Sequence, residues 1–280
     1  MAISPFYQNV SIAQYQPSAR YVLTLSNTSS VVQTFRLTTQ DFGSLNQSAG
    51  VAFLNSSSTY AKKYGLAAWM QLDQEAVTIP ASASSQVTVT INNSPSLTPG
   101  GHYGAILATA QSAPTDKPTQ PRVGVLAVLS SLILLIKGGG APPNLDLQSQ
   151  TVYGRGLGLP SQVDQQFVNA GDIHVVPRGV VQVLDPTGRV VERGALNVNS
   201  GIILPGTERS YNTPLAELAS AWMPGNYKVL TTYRYDGTIA TKTFSSQFWY
   251  ISAVQLWVLL TILMAAGAVA VVWWRRRRRR

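Results

Sequence analysis

The 280-residue chain contains no cysteine, so it folds without disulfides and relies on core packing alone. Domains of roughly 100 residues or more bury enough surface for that, even in an oxidising compartment. Charge is also scarce, at 12% of residues. Six of the 21 Lys and Arg form the terminal run Arg275–Arg280, which leaves 15 basic residues against 12 acidic ones. No basic cluster with interleaved aromatics remains, which excludes a nucleic-acid partner. Histidine occurs twice, at His102 and His174. His174 and Asp172 are too few ligands for zinc, which takes about four. His102 falls in a Pro-Gly turn, where a partly exposed structural role is expected. The carboxylates are scattered singly, and no nucleophile elbow, phosphate-binding glycine loop or calcium loop occurs. Gly154-Arg155-Gly156-Leu157-Gly158 lacks the strand-to-helix setting of a phosphate cradle and reads as loop. No catalytic residue, metal or cofactor is expected.

The most informative segment present is the last. Val254–Trp274 is uncharged and mostly apolar, and 21 helical residues span about 31 Å, matching a hydrocarbon core of about 30 Å. Tyr250 and Trp257 sit near one end and Trp273 and Trp274 at the other, where amphipathic rings favour the headgroup zone. Arg275, Arg276, Arg277, Arg278, Arg279 and Arg280 follow directly; the positive-inside bias keeps them cytoplasmic and places residues 1–252 outside. A single-pass plasma-membrane protein is expected, with lipid as one partner. The opening Met1-Ala2-Ile3-Ser4-Pro5 has neither a basic nor an apolar leader region, so an export signal is expected upstream. Val123–Ile136 is aliphatic but only 14 residues long and interrupted by Ser130-Ser131, which predicts buried strands, not a second crossing.

Ahead of the anchor the sequence alternates with period two: Tyr21, Leu23, Leu25; Phe35, Leu37; Val87, Val89, Ile91. That is the pattern of strands with one buried face. Asp185-Pro186-Thr187-Gly188 and Asp236-Gly237 mark turns. Leu215–Ala221 reads as a short helix, and 61–69 fits either helix or strand. Landmarks also recur in order. Asn27 and Asn169 end strands, Pro80 and Pro205 close later ones, and Pro99-Gly100-Gly101-His102-Tyr103 parallels Pro224-Gly225-Asn226-Tyr227. Both Pro-to-Pro spacings are 19 residues, whereas Asn-to-Pro is 53 in one copy and 36 in the other. A duplicated fold is expected, with an insertion of about 17 residues within Asp41–Trp69, and each tyrosine's hydroxyl tied to backbone as at an immunoglobulin corner. The predicted architecture is all-β: two immunoglobulin-like sandwiches, 1–137 and 144–250, joined by a Gly/Pro linker at 138–143, then a transmembrane helix at 254–274 and a tail at 275–280.

Tyr21–Asn27, Trp69, Val77–Pro80, Leu97–Ile106, Phe167–His174, Pro177-Arg178-Gly179, Val183–Val190 and Ile202–Arg209 together resemble the WxL-interacting protein family of bacterial surface proteins. The resemblance covers most of 4–250. It implies a peptidoglycan-binding first domain, a second sandwich contacting other surface proteins, and a membrane anchor. Trp257-Val258-Leu259 lies inside the anchor and is not a WxL signature. The first expectation is therefore a non-enzymatic scaffold binding cell-wall polymer, surface proteins, or both. Tyr60, Tyr64 and Trp69 are the candidate ligand contacts, because aromatic faces pack on sugar rings; core packing is the competing role, above all for Trp69. An adhesin or subunit of a surface assembly, pairing through sheet edges, is the alternative. A surface hydrolase with a carboxylate pair assembled from distant residues is the third. Leu204-Pro205-Gly206-Thr207 lacks the glycine that a sortase signal needs. The Asn-x-Ser/Thr sequons at Asn9, Asn27, Asn46, Asn55 and Asn92 are those expected by chance in so polar a chain.

Overall fold

The computed structural model describes residues 1–45, 50–111, 128–154 and 158–278. It is mostly β-sheet with one long C-terminal apolar helix, and it divides into two compact units. Of the expectations above, Asn46, Val123–Ala127, Arg155–Leu157, Arg279 and Arg280 lie outside the described residues.

Unit 1 comprises Met1–Asn144 together with two short later segments, Asn169–His174 and Leu204–Thr207. Its strands are β1 (Ala2–Ser4), β2 (Tyr7–Ile12), β3 (Ser18–Ser26), β4 (Gln33–Leu45) and β5 (Gly50–Leu54). Helix α1 (Thr59–Tyr64) follows, then β6 (Met70–Leu72), β7 (Ala76–Ile79), β8 (Ser84–Asn92), β9 (Gly100–Gln111) and β10 (Val128–Lys137). One sheet runs β1-β3-β8-β6; the other runs β2-β10-β9-β4-β5, with β7 also on β4. The period-two residues behave as their spacing dictates. Leu23 and Leu25 of β3, Val87, Val89 and Ile91 of β8, and Phe35 and Leu37 of β4 all enter one buried cluster. Ile106 of β9 and Ile133 and Leu135 of β10 meet them from the second sheet. Each such fully buried side chain contributes about 1.5–3 kcal/mol, and together they form a sandwich core. The aliphatic run before the linker is accordingly β10, paired antiparallel with β9 and parallel with β2.

Unit 2 contains β11 (Leu145–Gly154), β12 (Pro160–Asn169, whose last residue belongs to unit 1), β13 (Pro177–Leu184), β14 (Val190–Leu196), β15 (Glu208–Pro214), β16 (Ala216–Glu217), β17 (Gly225–Tyr235) and β18 (Lys242–Tyr250). Helix α2 (Ala253–Arg278) ends it. Its sheets run β11-β12-β15 and β16-β14-β13-β17-β18. Val163 of β12 meets Val181, Val183 and Val229 in one buried cluster, and the Phe167 ring packs edge-on against Tyr211 and Tyr233 in another. The short helix expected over Leu215–Ala221 does not form. Leu218 and Ala219 both donate their backbone N–H to Val191 O, so sheet pairing takes the donors a helix would need and overrides local propensity.

The recurring landmarks carry the same hydrogen bonds. Asn27 donates through Nδ2 to Val31 O and accepts at Oδ1 from Ser29 N. Asn169 donates to Ile173 O, also four residues on, and accepts from Gly171 N, also two residues on. Both side chains are buried, at 1% and 0% exposure, so each closes its loop from inside. That occupancy leaves the Asn27 sequon sterically closed. Gly100 and Gly225 open β9 and β17 with φ of +126° and +148°, conformations that disfavour any residue with a Cβ. Tyr227 then ties its hydroxyl to Met223 O at 2.8 Å, as expected of a corner. Tyr103 departs from the expectation: its hydroxyl meets the His174 side chain at 3.3 Å.

Candidate functional site

Residues 55–69, inside the expected insertion, build a short helical arch. Asn55 and Ser58 hold its entry, with Ser58 capping α1 at Ala61 N. Lys62 and Lys63 occupy the last turn, where cations suit the helix C-terminus. Asp41 of β4 accepts from both Leu66 N and Ala67 N at 2.7 Å, which fixes the 3-10 turn Ala67–Trp69 and the Trp69 ring with it. Only α1 itself remains from the helix-or-strand segment as regular α-helix.

The arch borders a cleft of about 540 Å³, lined by Lys62, Lys63, Tyr64, Trp69, His102 and Asp172 above the Pro99-Gly100-Gly101 backbone. Trp69 is half-buried, packing its inner face on the first core while lining the cleft. Its ring centre lies 6.1 Å from that of His102. A side chain at Gly101 is crowded out: an added Cβ meets the Tyr103 hydroxyl at 2.3 Å and Asp172 O at 3.1 Å, while the Gly101 N–H donates to Asp172 O at 2.7 Å. Lys63 lies 4.7 Å from the Tyr64 ring centre and 3.4 Å from the Asp172 carboxylate. Contact with Tyr64, and then with Asp172, raises the Lys63 pKa above its ordinary value. Lys62 is exposed.

The three aromatic candidates part company. Trp69 and Tyr64 line the cleft, although Tyr64 is mostly buried, its hydroxyl directed to Asp172. Tyr60 does not line it; it stacks on Tyr64 at 4.8 Å and donates to Pro205 O, and burial pushes its pKa up. Its role is to hold the Leu204–Thr207 segment in unit 1. His102, expected to be partly exposed, is instead buried, at 2% exposure. Its Nδ1 faces Gly65 O at 3.2 Å and its Nε2 faces Thr98 O at 2.8 Å, tying the arch to the Ser94–Thr98 loop. Burial lowers its pKa despite those two carbonyls. Lys137, buried at the end of β10, donates to Ser94 O and Leu97 O of the same loop. Neither lysine 62 nor 63 was singled out by sequence pattern; two adjacent lysines beside aromatic candidates were the available signal.

The arrangement can bind but holds little chemistry. Among the described residues Asp172 is the one carboxylate lining the cleft, where hydrolysis of a glycosidic bond uses two. Among the described residues no three His, Cys, Asp or Glu side chains converge on a metal position. At the other end of the chain, α2 is long and apolar enough to cross a membrane and none of its span is buried against the protein. Trp257, Trp273 and Trp274 are exposed on it, and Arg277 and Arg278 stack on Trp273 and Trp274. Arg275 and Arg276 complete the described basic end.

No family model matches the chain, and no curated protein gives a significant match to it. Solved structures with a similar chain course include the class 5 fimbriae chaperone CfaA: 10% identity, 89% of this chain and 98% of that one, TM-score 0.44. The E. coli chaperone DraB matches at 10% identity over 88% of this chain and 97% of its own, TM-score 0.42. The CsuC–CsuE chaperone–tip adhesion subunit pre-assembly complex of Acinetobacter baumannii matches at 10% identity over 87% and 96%, TM-score 0.40. Likeness at this level carries neither function nor residue roles to this chain.

Proposed function

We propose that the protein is a non-enzymatic surface scaffold, held in the plasma membrane by α2, whose unit 1 cleft takes an acidic cell-wall glycan of the peptidoglycan class. In this reading the two β-domains are of the immunoglobulin kind and face outward, as the WxL-interacting resemblance implies. The cleft carries the argument. Trp69 offers an aromatic face to the C–H groups of a sugar ring, and the Lys62 and Lys63 ammonium groups suit a carboxylate on the sugar or its stem peptide. Exposed ion pairs contribute up to about 1 kcal/mol each, so the two lysines set affinity and salt dependence more than fold. Titration calorimetry of the intact chain with soluble disaccharide–peptide fragments tests this. Trp69→Ala is expected to weaken binding about tenfold or more, as truncating a buried aromatic anchor does. Unchanged heat with that variant, at unchanged thermal stability, removes the cleft from the account.

A protein partner is the second reading, favoured by one edge. Strand β5 pairs with β4 on one side only among the described residues and exposes Val51 and Phe53. Strand addition there suits an assembly role. A Val51→Lys, Phe53→Lys variant that loses a cross-linked surface partner while keeping fragment binding separates the two readings.

A further inference from the structure

The loop before β17 is built in an unusual way. Four successive carbonyls, Ser220 to Met223, each accept a hydrogen bond from a different side chain. Arg189 reaches Ser220 O at 2.9 Å, Tyr250 reaches Ala221 O at 3.3 Å, Gln255 reaches Trp222 O, and Tyr227 reaches Met223 O at 2.8 Å. Gln255 belongs to the first turn of α2 and is itself held by Ser252, whose Oγ accepts from Gln255 N at 3.2 Å while Ser252 N donates back to Gln255 Oε1 at 3.1 Å. The backbone around Trp222 is thereby pinned to the start of the helix. Yet the side chain it presents is 65% exposed. Trp249, at the end of β18 and four residues before α2, is 72% exposed, and Trp257 is 67% exposed. Three exposed indoles tied by chain or by hydrogen bond to the start of one helix mark an interaction surface, where a lone one would not.

We propose that Trp222 and Trp249, with Trp257, form a membrane-seating surface that enters the phospholipid headgroup layer around the start of α2. The proposal rests on the reading of α2 as the membrane anchor. If residues 254–274 fill the hydrocarbon core, Gln255 lies at its boundary, and a loop bonded to Gln255 lies at headgroup depth. That is the zone where the amphipathic indole is favoured. Trp249 is brought to the same level by its neighbour Tyr250, whose hydroxyl donates to Ala221 O of that loop at 3.3 Å. The anchor then does more than tether; it sets unit 2 against the bilayer through two strand-borne or loop-borne indoles outside the helix.

The test uses full-length single-tryptophan proteins, with the other tryptophans changed to Phe, in phosphatidylcholine–phosphatidylglycerol vesicles. The quencher is a phosphatidylcholine carrying a nitroxide on its headgroup. Emission from the Trp222-only and Trp249-only proteins is expected to fall several-fold and to resist aqueous iodide, while the Trp69-only protein shows the reverse. The Trp257-only protein reports on the anchor itself. Quenching of Trp257 with Trp222 and Trp249 left open to iodide overturns the seating surface and leaves the anchor standing. Absence of lipid quenching at Trp257 overturns both. In the otherwise native chain, Trp222→Ser with Trp249→Ser gives a second readout that does not depend on multiple Phe substitutions: the lipid-quenchable share of total emission should drop, and an unchanged share contradicts the proposal.

Discussion

At the scale of single residues, buried polar groups do the specifying. Asn27 donates to Val31 O, Ile79 O and Pro80 O from a fully enclosed position. Its loss strands several carbonyls and leaves a cavity, so Asn27→Ala is expected to lower the stability of unit 1 by about 2–4 kcal/mol, read by urea unfolding. Two groups make the protein acid-sensitive. Burial lowers the His102 pKa, so between its folded value and the ordinary 6.5 the unfolded chain binds more protons, and stability falls as pH drops below that value. Asp185, hydrogen-bonded by Thr187 and Arg189, also has a lowered pKa; its contribution is present above the ordinary 3.8 and is lost as pH falls through the folded value. His102→Gln is expected to flatten the first decline between about pH 7 and pH 5 and leave the second, as followed by urea midpoints. Sequence revealed the asparagines as punctuation because strand ends and turn residues are local. It did not reveal that His102 is buried, since the carbonyls around it come from Gly65 and Thr98, on separate loops.

At the scale of elements, strands were legible and short helices were not. Leu23/Leu25 and Val87/Val89/Ile91 alternate in sequence because one face of each strand enters a core, and that geometry needs no distant information. Leu215–Ala221 has helix-forming residues, but Val191 O captures its N–H donors, a tertiary fact invisible locally. The arch at 55–69 depends likewise on Asp41, about 25 residues away in sequence, as cap for the 67–69 turn. Removing that cap by Asp41→Ala is expected to cost about 1–2 kcal/mol and to loosen Trp69. Calorimetric affinity for the disaccharide–peptide fragment should then fall more than thermal stability does. Tyr64 and Trp69, which line the cleft, were legible as aromatic residues close together in a segment with no strand pattern. Sequence reading also selected Tyr60, whose place against Pro205 O depends on a contact 145 residues away.

At the scale of the whole molecule, helix α2 and the unit 1 cleft were legible to different degrees. Helix α2 was readable outright as a long apolar segment ending in arginines, because length, apolarity and flanking charge are local properties of the sequence. Absence of cysteine makes its topology simple to check. A Ser56→Cys chain in intact cells should react with a membrane-impermeant maleimide, and an Arg278→Cys chain should react only after permeabilisation; the opposite pattern inverts the orientation. The cleft was legible only in part, because Asp172 joins it from a segment more than 100 residues beyond the arch. Fragments cut at the linker lose that segment, so the intact chain is the right reagent. The central claim, that this cleft holds acidic wall glycan, is tested most directly by sedimenting the full-length protein in detergent with purified cell-wall sacculi at low salt. The account predicts that the wild-type chain pellets while the Lys62→Gln, Lys63→Gln variant, equally stable, stays largely in the supernatant. A wild-type chain that remains soluble, or a variant that pellets equally well, contradicts it.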